Sequence, residues 1–387
     1  MVRTASLFSQ LLDVFPRLEF QKAVRDHKAE YYAKGFTCWD QFVAMLFCQL
    51  AQAHSLREIC DGLSCCLGKL AHLGMRDAPK RSTLSYANIH RPWELYETVF
   101  YQLVEKCCLF THGKTKFRFR NKLLSLDATV IDLCLELFPW AKFRQRKGAI
   151  KLHLLLDHDG YLPTFALITE GAVHEVKVAQ ELALPADSIV VIDRGFVDYE
   201  LFGHWCSQDV FFVTRQKSNA VYEVVEKRQI PQNRGVLSDE IIRLTGIKAK
   251  EACPHLLRRI VFQDKGTDKE FVFLTNHLKF GPTTIAKIYK DRWQIELFFK
   301  ALKQNLKVKT FVGTTPNALK IQIWTALITM LLLKYLQLRS RLNWHLSNLV
   351  ALLRWNLFTY RNLWDWINNP FETPPLIPKP VQLKLRL

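Results

Sequence analysis

The chain has 387 residues, with 54 Lys and Arg against 36 Asp and Glu, a formal net charge of +18 and 12% aromatic residues. That length allows two or three domains around a large core. The surplus positive charge, interleaved with rings, points to a polyanion, nucleic acid ahead of a bare electrostatic surface, with solubility alone as the plainer explanation. The ten cysteines are scattered singles and adjacent pairs such as Cys65-Cys66 and Cys107-Cys108, without CxxC spacing. They read as reduced cytosolic thiols, which argues against a disulfide framework or a structural zinc site, and no signal peptide opens the sequence.

Phe8, Leu11, Leu12 and Phe15 mark one short amphipathic helix. From Thr37 onward, Phe42, Met45, Leu46, Leu50 and Ala53 follow the 3.6-residue period, and Ser55-Leu56-Arg57-Glu58 has the form of a capping box. Residues 79–88 read as a basic start to a polar helix, and Pro92 suits the first turn of another that continues to about Cys108. Residues 1–110 are therefore expected to form an all-α, DNA-binding unit. In it Lys80, Arg81, Ser82, Ser85, Asn88 and Arg91 are donors suited to phosphates and base edges, although an ordinary solvated helix start explains them too. Residues 111–121, with Lys114, Lys116, Arg118 and Arg120, read as a basic linker.

Strand patterns then take over. Residues 122–126 form a short apolar run ending in Asp127-Ala128-Thr129. The runs 149–156 and 161–168 are joined by the hairpin turn Asp157-His158-Asp159-Gly160. A helix over 174–184 is followed by the apolar strand 188–192, which ends in Asp193-Arg194-Gly195-Phe196. A helix over 199–206 and a strand over 210–214 come next. The order predicts an α/β fold for 122–214, a mixed sheet flanked by helices. Four short strand-like runs punctuated by Gly235, Gly246 and Gly266 make 215–281 a β-rich insertion.

Residues 285–306 read as one amphipathic helix inside a segment 282–309. Ile288, Ile295, Phe299, Leu302 and Leu306 stack on one apolar stripe. Tyr289, Arg292, Glu296 and Lys303 fall beside it within an arc of roughly 60°. A plain i,i+4 pair of Arg292 and Glu296 on a solvated helix gives the same pattern. Helices follow over 310–368, then a Pro-rich tail over 369–387. The apolar run 321–333 is too short to span a bilayer, so a core helix and no membrane partner are expected.

Asp127, Asp193 and Glu296 are the candidate chemical residues. Carboxylates at strand ends point into the crevice where α/β sheets bind ligands, although an Asp after a strand is often only a turn or cap. Asp132 and Asp157 are rival acids, Asp159 belongs to the hairpin turn, and His174-Glu175 is either an auxiliary acid or a helix start. Three gathered carboxylates repel one another and take up protons unless cations hold them. Two Mg²⁺ or Mn²⁺ ions, roughly 3.5–4 Å apart, would satisfy them and serve phosphodiester cleavage.

The spacing Tyr289-x2-Arg292-x3-Glu296-x6-Lys303 resembles the Y-R-E-K signature of the insertion-sequence-four family of Asp-Asp-Glu transposases. Asp127-Ala128-Thr129 and Asp193-Arg194-Gly195-Phe196 resemble that family's first and second acidic motifs, and the long gap before Glu296 resembles its β insertion. The resemblance spans nearly the whole chain outside the Pro-rich tail. It implies a ribonuclease-H-like mixed-sheet core, two Mg²⁺ or Mn²⁺ ions, and cut-and-paste transposition of an element with inverted terminal repeats. It further implies a homodimer on double-stranded DNA in the bacterial cytoplasm, beside the nucleoid. Asp127, Asp193 and Glu296 would be the metal ligands. Tyr289, Arg292 and Lys303 would hold the terminal phosphate, with Lys80, Arg81 and Arg91 in the DNA grip. Some relatives form a hairpin at the element's end with help from a tryptophan of the insertion. None lies between Trp205 and Trp293, so Tyr222 is the base-stacking candidate, Phe262, Phe271 and Phe273 being the other rings there. The alternatives are a non-catalytic DNA-binding derivative, a ribonuclease-H-like nuclease without strand transfer, and a basic protein at a membrane surface.

Overall fold

The structure, a computed structural model, describes residues 5–374 except 32, 34, 67, 112–115, 145, 146, 265, 309 and 373. Lys114 of the basic linker and Pro375, Pro378 and Pro380 of the tail lie outside the described residues. The chain divides into two compact units, one from residues 1–110 with 301–387 and one from 111–300.

The first unit is helical. Before the second unit it contributes α1 (Leu7–Leu12), α2 (Arg17–Asp26), α3 (Cys38–Ala51), α4 (Leu56–Ser64), α5 (Arg81–His90) and α6 (Glu94–Cys108). Thr37 and Asp40 form a reciprocal capping box that starts α3, satisfying two donors that a helix N-terminus leaves bare. At α4 the box is looser: Ser55 accepts from Glu58 N, but the Glu58 carboxylate accepts from His54 N.

Among the described residues the second unit holds ten strands in one sheet. They are β1 (Leu123–Leu133), β2 (Lys142–Arg144), β3 (Lys147–Asp157), β4 (Leu162–Glu170), β5 (Ile189–Val191), β6 (Phe211–Arg215), β7 (Tyr222–Lys227), β8 (Val236–Leu244), β9 (Leu257–Asp264) and β10 (Lys269–Thr275). Helices α7 (Glu175–Glu181), α8 (Tyr199–Ser207), α9 (Ile247–Ala252) and α10 (Pro282–Asp291) belong to this unit, and the boundary between units falls within α11 (Trp293–Asn305). The first unit is completed by α12 (Pro316–Arg339), α13 (Leu346–Asn356) and α14 (Leu363–Asn368).

Helix α12 packs against α3, α5, α6 and α13. By length and composition its 24 residues could cross a bilayer, but 83% of its most apolar window is buried inside the protein. A helix apolar all round needs such a core on every side, and here the protein supplies it.

The sheet explains the site. Strands β1, β3 and β4 form an antiparallel meander, and β5 and β6 add to β1 in parallel. The resulting order β4-β3-β1-β5-β6 is a ribonuclease-H-like mixed core. Strand β6 then pairs antiparallel with β10, and β9, β8 and β7 follow. The inserted strands thus extend the core sheet itself, and a short helix, α9, interrupts them.

Side chains alternate between two cores. Leu124, Leu126, Val190 and Ile192 join the cluster built with α7 and α8, whereas Leu123, Ile189 and Val191 join the one beneath α10. On β1 the odd-numbered positions therefore run along the α10 side as Leu123, Ser125 and Asp127.

Candidate active site

The parallel register pairs Leu123 with Ile189 and Ser125 with Val191. Two residues further along come Asp127, still within β1, and Asp193, just past the end of β5, close enough for the Asp193 charge to act on the Asp127 carboxyl where β1 runs between β3 and β5. Crevices at such switch points are where α/β sheets bind ligands. Asp193 follows β5 as the sequence predicts, and its carboxylate accepts from Gly195 N at 2.7 Å. Asp127 corrects the expectation of a strand end. It lies inside β1, opposite Leu154 of β3, because pairing to β3 carries the strand on to Leu133.

The expected single helix is two. Helix α10 stops at Asp291 and α11 starts at Trp293, while Arg292 between them keeps right-handed helical dihedrals. The ladder tightens there, with Arg292 N bonding Tyr289 O and Ile295 N bonding Arg292 O. At this break the Arg292 guanidinium bridges two of the acids, 3.5 Å from Asp127 Oδ2 and 2.5 Å from Glu296 Oε1. Its Nε is buried and bonds no protein group among the described residues. A buried donor without a partner calls for an explanation, and an acceptor brought by a ligand supplies one.

Burial, then the neighbouring Asp193 and Glu296 charges, push the Asp127 carboxyl up to about 7 against the opposing pull of Ala128 N–H and Arg292. Among the described residues no three His, Cys, Asp or Glu side chains converge as a ready metal cage. Asp127 and Glu296 are instead held by a guanidinium. Hard carboxylate oxygens that repel one another and take up a proton fit Mg²⁺ or Mn²⁺ chemically, with Arg292 as the cation now between two of them.

Tyr289 is half-buried against Phe273, with Arg292 over its ring at 5.6 Å. Burial raises its phenol, partly offset by Arg292 and Arg215. Lys303 lies further along α11 and is half-buried. The rival acids are paired elsewhere or exposed. Asp157 pairs with Lys122 at 3.1 Å and closes the hairpin by accepting from Asp159 N. Asp132 is exposed, His174 caps α7, and Glu175 pairs with Lys151 at 3.3 Å.

Among the helical-unit candidates, Lys80, Arg81 and Ser82 are exposed at the start of α5 and Ser85 is half-buried. Asn88 is a correction: it is buried, accepting from Gln41 at 2.8 Å. Arg91 donates to Thr37 O, Gln41 Oε1 and Phe36 O, joining the end of α5 to the start of α3. Tyr222 is half-buried on the α8-side core with Arg259 5.6 Å over its ring.

Sequence reasoning missed an open cleft of about 710 Å³ beside Arg292, lined among others by Arg234, Phe262, Phe271, Tyr289, Lys290 and Trp293. Its rings come from β9, β10 and two helices: Phe262, Phe271, Phe273 and Tyr289 were each singled out in the sequence, but nothing there showed that they gather with Trp293 around one cleft.

The fold is a ribonuclease-H-like mixed sheet, with Asp127 within β1, Asp193 just past β5 and Glu296 on a later helix. The Transposase DDE domain family matches residues 118–332, and a Domain of unknown function (DUF4372) matches residues 3–76. The chain is 32% identical over 270 residues to "Putative transposase y4zB" of Sinorhizobium fredii, covering 69% of this chain and 73% of that protein. It is 28% identical over 272 residues to "Probable transposase for insertion sequence element IS5377" of Geobacillus stearothermophilus, covering 69% and 70%. A solved piggyBac transposase synaptic complex with hairpin DNA aligns at TM-score 0.44 and 11% identity, over 91% of this chain and 79% of that one. The chain belongs to the Asp-Asp-Glu transposases, in the insertion-sequence-four family.

Proposed function

We propose that this transposase binds the inverted terminal repeats of its own element, cleaves them by metal-dependent phosphodiester hydrolysis and joins the freed ends to target DNA. The observation that carries the reading is the bridge from Arg292 to Asp127 and Glu296, with Asp193, just past the end of β5, acting on Asp127 by its charge. Asp127, Asp193 and Glu296 would hold Mg²⁺ or Mn²⁺, which when bound supplies an activated water or hydroxyl and a stabilised leaving oxygen. Arg292, whose planar fork suits phosphate, is the group that exchanges carboxylate for DNA backbone. Tyr289 donates a hydrogen bond and Lys303 adds a point charge. The working form is a homodimer on double-stranded DNA in the bacterial cytoplasm, beside the nucleoid. Incubating purified protein with a precut terminal-repeat duplex and a target plasmid in Mg²⁺ tests this. Joined product supports it, whereas cleavage with no joining under any divalent metal leaves a nuclease.

In the helical unit we assign DNA contact to α5 through its exposed start. Lys80→Ala and Arg81→Ala should each flatten the log–log salt dependence of repeat binding by roughly 0.9 if each meets one phosphate. Arg91→Ala should instead lower the melting temperature, because it frees the end of α5 from α3. A salt slope unchanged in both lysine and arginine variants would place the grip elsewhere.

If a hairpin forms at the cut end, the cleft offers stacking surface more directly than Tyr222. Trp293 is 55% exposed, whereas Tyr222 already carries Arg259. Stacking on a flipped base is worth roughly 1–3 kcal/mol, so Trp293→Ala should reduce hairpin product on a denaturing gel more than it reduces the first nick. Tyr222→Ala having the larger effect would reverse that choice.

A further inference from the structure

Behind the acids lies a second polar chain that the chemistry above does not use. Ser125 Oγ and His158 Nε2 are 2.7 Å apart, and His158 Nδ1 donates to Asp291 Oδ2 at 2.7 Å. Tyr161 OH also donates to Asp291, at 3.2 Å, and Lys116 Nζ reaches its other oxygen at 2.5 Å. Ser125 is fully buried, and His158 and Asp291 are 4% and 3% exposed. The residue types are those of a hydrolytic triad, but no acyl group can reach a fully buried hydroxyl, so nucleophilic catalysis is excluded. Three buried polar side chains, Ser125, His158 and Asp291, nonetheless meet with their partners matched, Tyr161 and Lys116 adding donors from nearer the surface, which is the arrangement in which buried polar networks rigidify and fix one geometry.

What the chain connects gives it a task. Ser125 stands two residues before Asp127 on β1, and Asp291 is the last residue of α10, directly before Arg292. His158 sits in the β3–β4 turn, with its own N–H on Leu123 O at 3.0 Å. Two ties therefore join β1 to the helix break: Asp127–Arg292–Glu296 on the cleft side and Ser125–His158–Asp291 inside. The cleft-side tie must open when Arg292 turns to a phosphate and the carboxylates turn to metal. The inner one need not.

We infer that Ser125, His158 and Asp291 are positioning residues that hold Glu296 in register with Asp127 while Arg292 is engaged elsewhere, so that the metal-binding carboxylates stay together through the reaction. This rests on the proposed metal-dependent function. It predicts weaker metal binding when the inner tie is cut, even though none of the three would touch the ion.

The test uses the full chain and Mn²⁺ alone, its binding followed by electron paramagnetic resonance without DNA, then nicking of supercoiled plasmid in Mn²⁺. Ser125→Ala and Asp291→Asn are expected to weaken Mn²⁺ binding by on the order of 10- to 100-fold, the usual range for groups that orient metal ligands. Ser125→Thr, which keeps a hydroxyl, should restore most of it. Val178→Ala, a core truncation on α7, should lower the melting temperature without moving Mn²⁺ affinity. Should Asp291→Asn fail to fold, Ser125→Ala against Ser125→Thr decides alone. Mn²⁺ affinity within about twofold of wild type in folded Ser125→Ala, or a loss that Val178→Ala matches, overturns the inference. Failure of the underlying function looks different: Asp127→Asn and Glu296→Gln would then also leave Mn²⁺ binding unchanged.

Discussion

Asp127→Asn, Asp193→Asn and Glu296→Gln are each expected to reduce metal-dependent nicking by on the order of a thousandfold, equivalent to several kcal/mol of lost transition-state stabilisation. Binding of DNA should stay near wild type, since the attraction of a +18 chain is spread over many cations. Asp127 adds a signature in stability. Its carboxyl is pushed up to about 7 in the fold by burial first and by Asp193 and Glu296 next, against an ordinary value of 3.8. A carboxyl that holds its proton more tightly folded than unfolded stabilises fully below pH 3.8, and that contribution is lost as pH rises through about 7. In EDTA, Asp127→Asn should therefore melt higher than wild type at pH 8, with the difference vanishing near pH 3. Added Mg²⁺ should raise the wild-type melting point by mass action and leave the variant's unmoved. Wild-type nicking by any of the three variants would remove that residue from the site, and Asp127→Asn melting below wild type at pH 8 would contradict the electrostatic reading.

The residues of this site were legible in the sequence to differing depths. Asp193 was readable because Ile189, Val190, Val191 and Ile192 are uniformly apolar and the chain turns immediately after them. Asp127 was readable as a residue but not in its setting. Ala128-Thr129 resembles a turn locally, and only the ten-residue pairing with β3 carries β1 past it to Leu133. Strand extent is decided by partners rather than by propensity. The break at Arg292 has the same origin. Nothing in Lys290-Asp291-Arg292-Trp293 disfavours a helix, but Asp291 is drawn inward by His158, Tyr161 and Lys116, from distant parts of the chain.

The remaining differences follow from side-chain facing that periodicity leaves open. Asn88 and Arg91 sit on a polar helix whose outer face shows Lys80, Arg81 and Ser82, yet both turn toward α3. Tyr222 looked free as a tyrosine near the start of the insertion, but its ring packs under Arg259. The rings that line the cleft beside Arg292 lie on β9, β10, α10 and α11, the strand rings brought there by the β6–β10 pairing that makes the inserted strands part of the core sheet. The inner tie is the least legible feature of all, because Ser125, His158 and Asp291 are separated by 33 and 133 positions.

That same continuity of the sheet makes Arg258 a residue whose loss should cost the fold heavily. Arg258 and Asp239 are each 2% exposed in their side chains and pair on adjacent strands β9 and β8. The pairing is bidentate, Nε to Oδ1 at 2.7 Å and Nη2 to Oδ2 at 2.6 Å. The remaining nitrogen, Nη1, donates to Phe280 O and to His277 O at 3.4 Å, in the turn that leads into Pro282 and α10. One guanidinium thus fastens the inserted strands to the root of the helix that carries Tyr289. Removing one partner of such a buried pair leaves the other charge stranded, which costs about 3–5 kcal/mol, whereas replacing both by apolar groups is often close to neutral. Arg258→Met should accordingly raise amide hydrogen exchange in β8 and β9 by on the order of a hundred- to a thousandfold. The double variant Asp239→Leu, Arg258→Met should recover part of that stability but not all, because the carbonyls of His277 and Phe280 still lack their donor. Catalysis should follow the same order, wild type above the double variant above the single one, since α10 leads directly to Arg292. An Arg258→Met protein within about 1 kcal/mol of wild type would mean that water reaches this pair and that the sheet, not the guanidinium, fixes the start of α10.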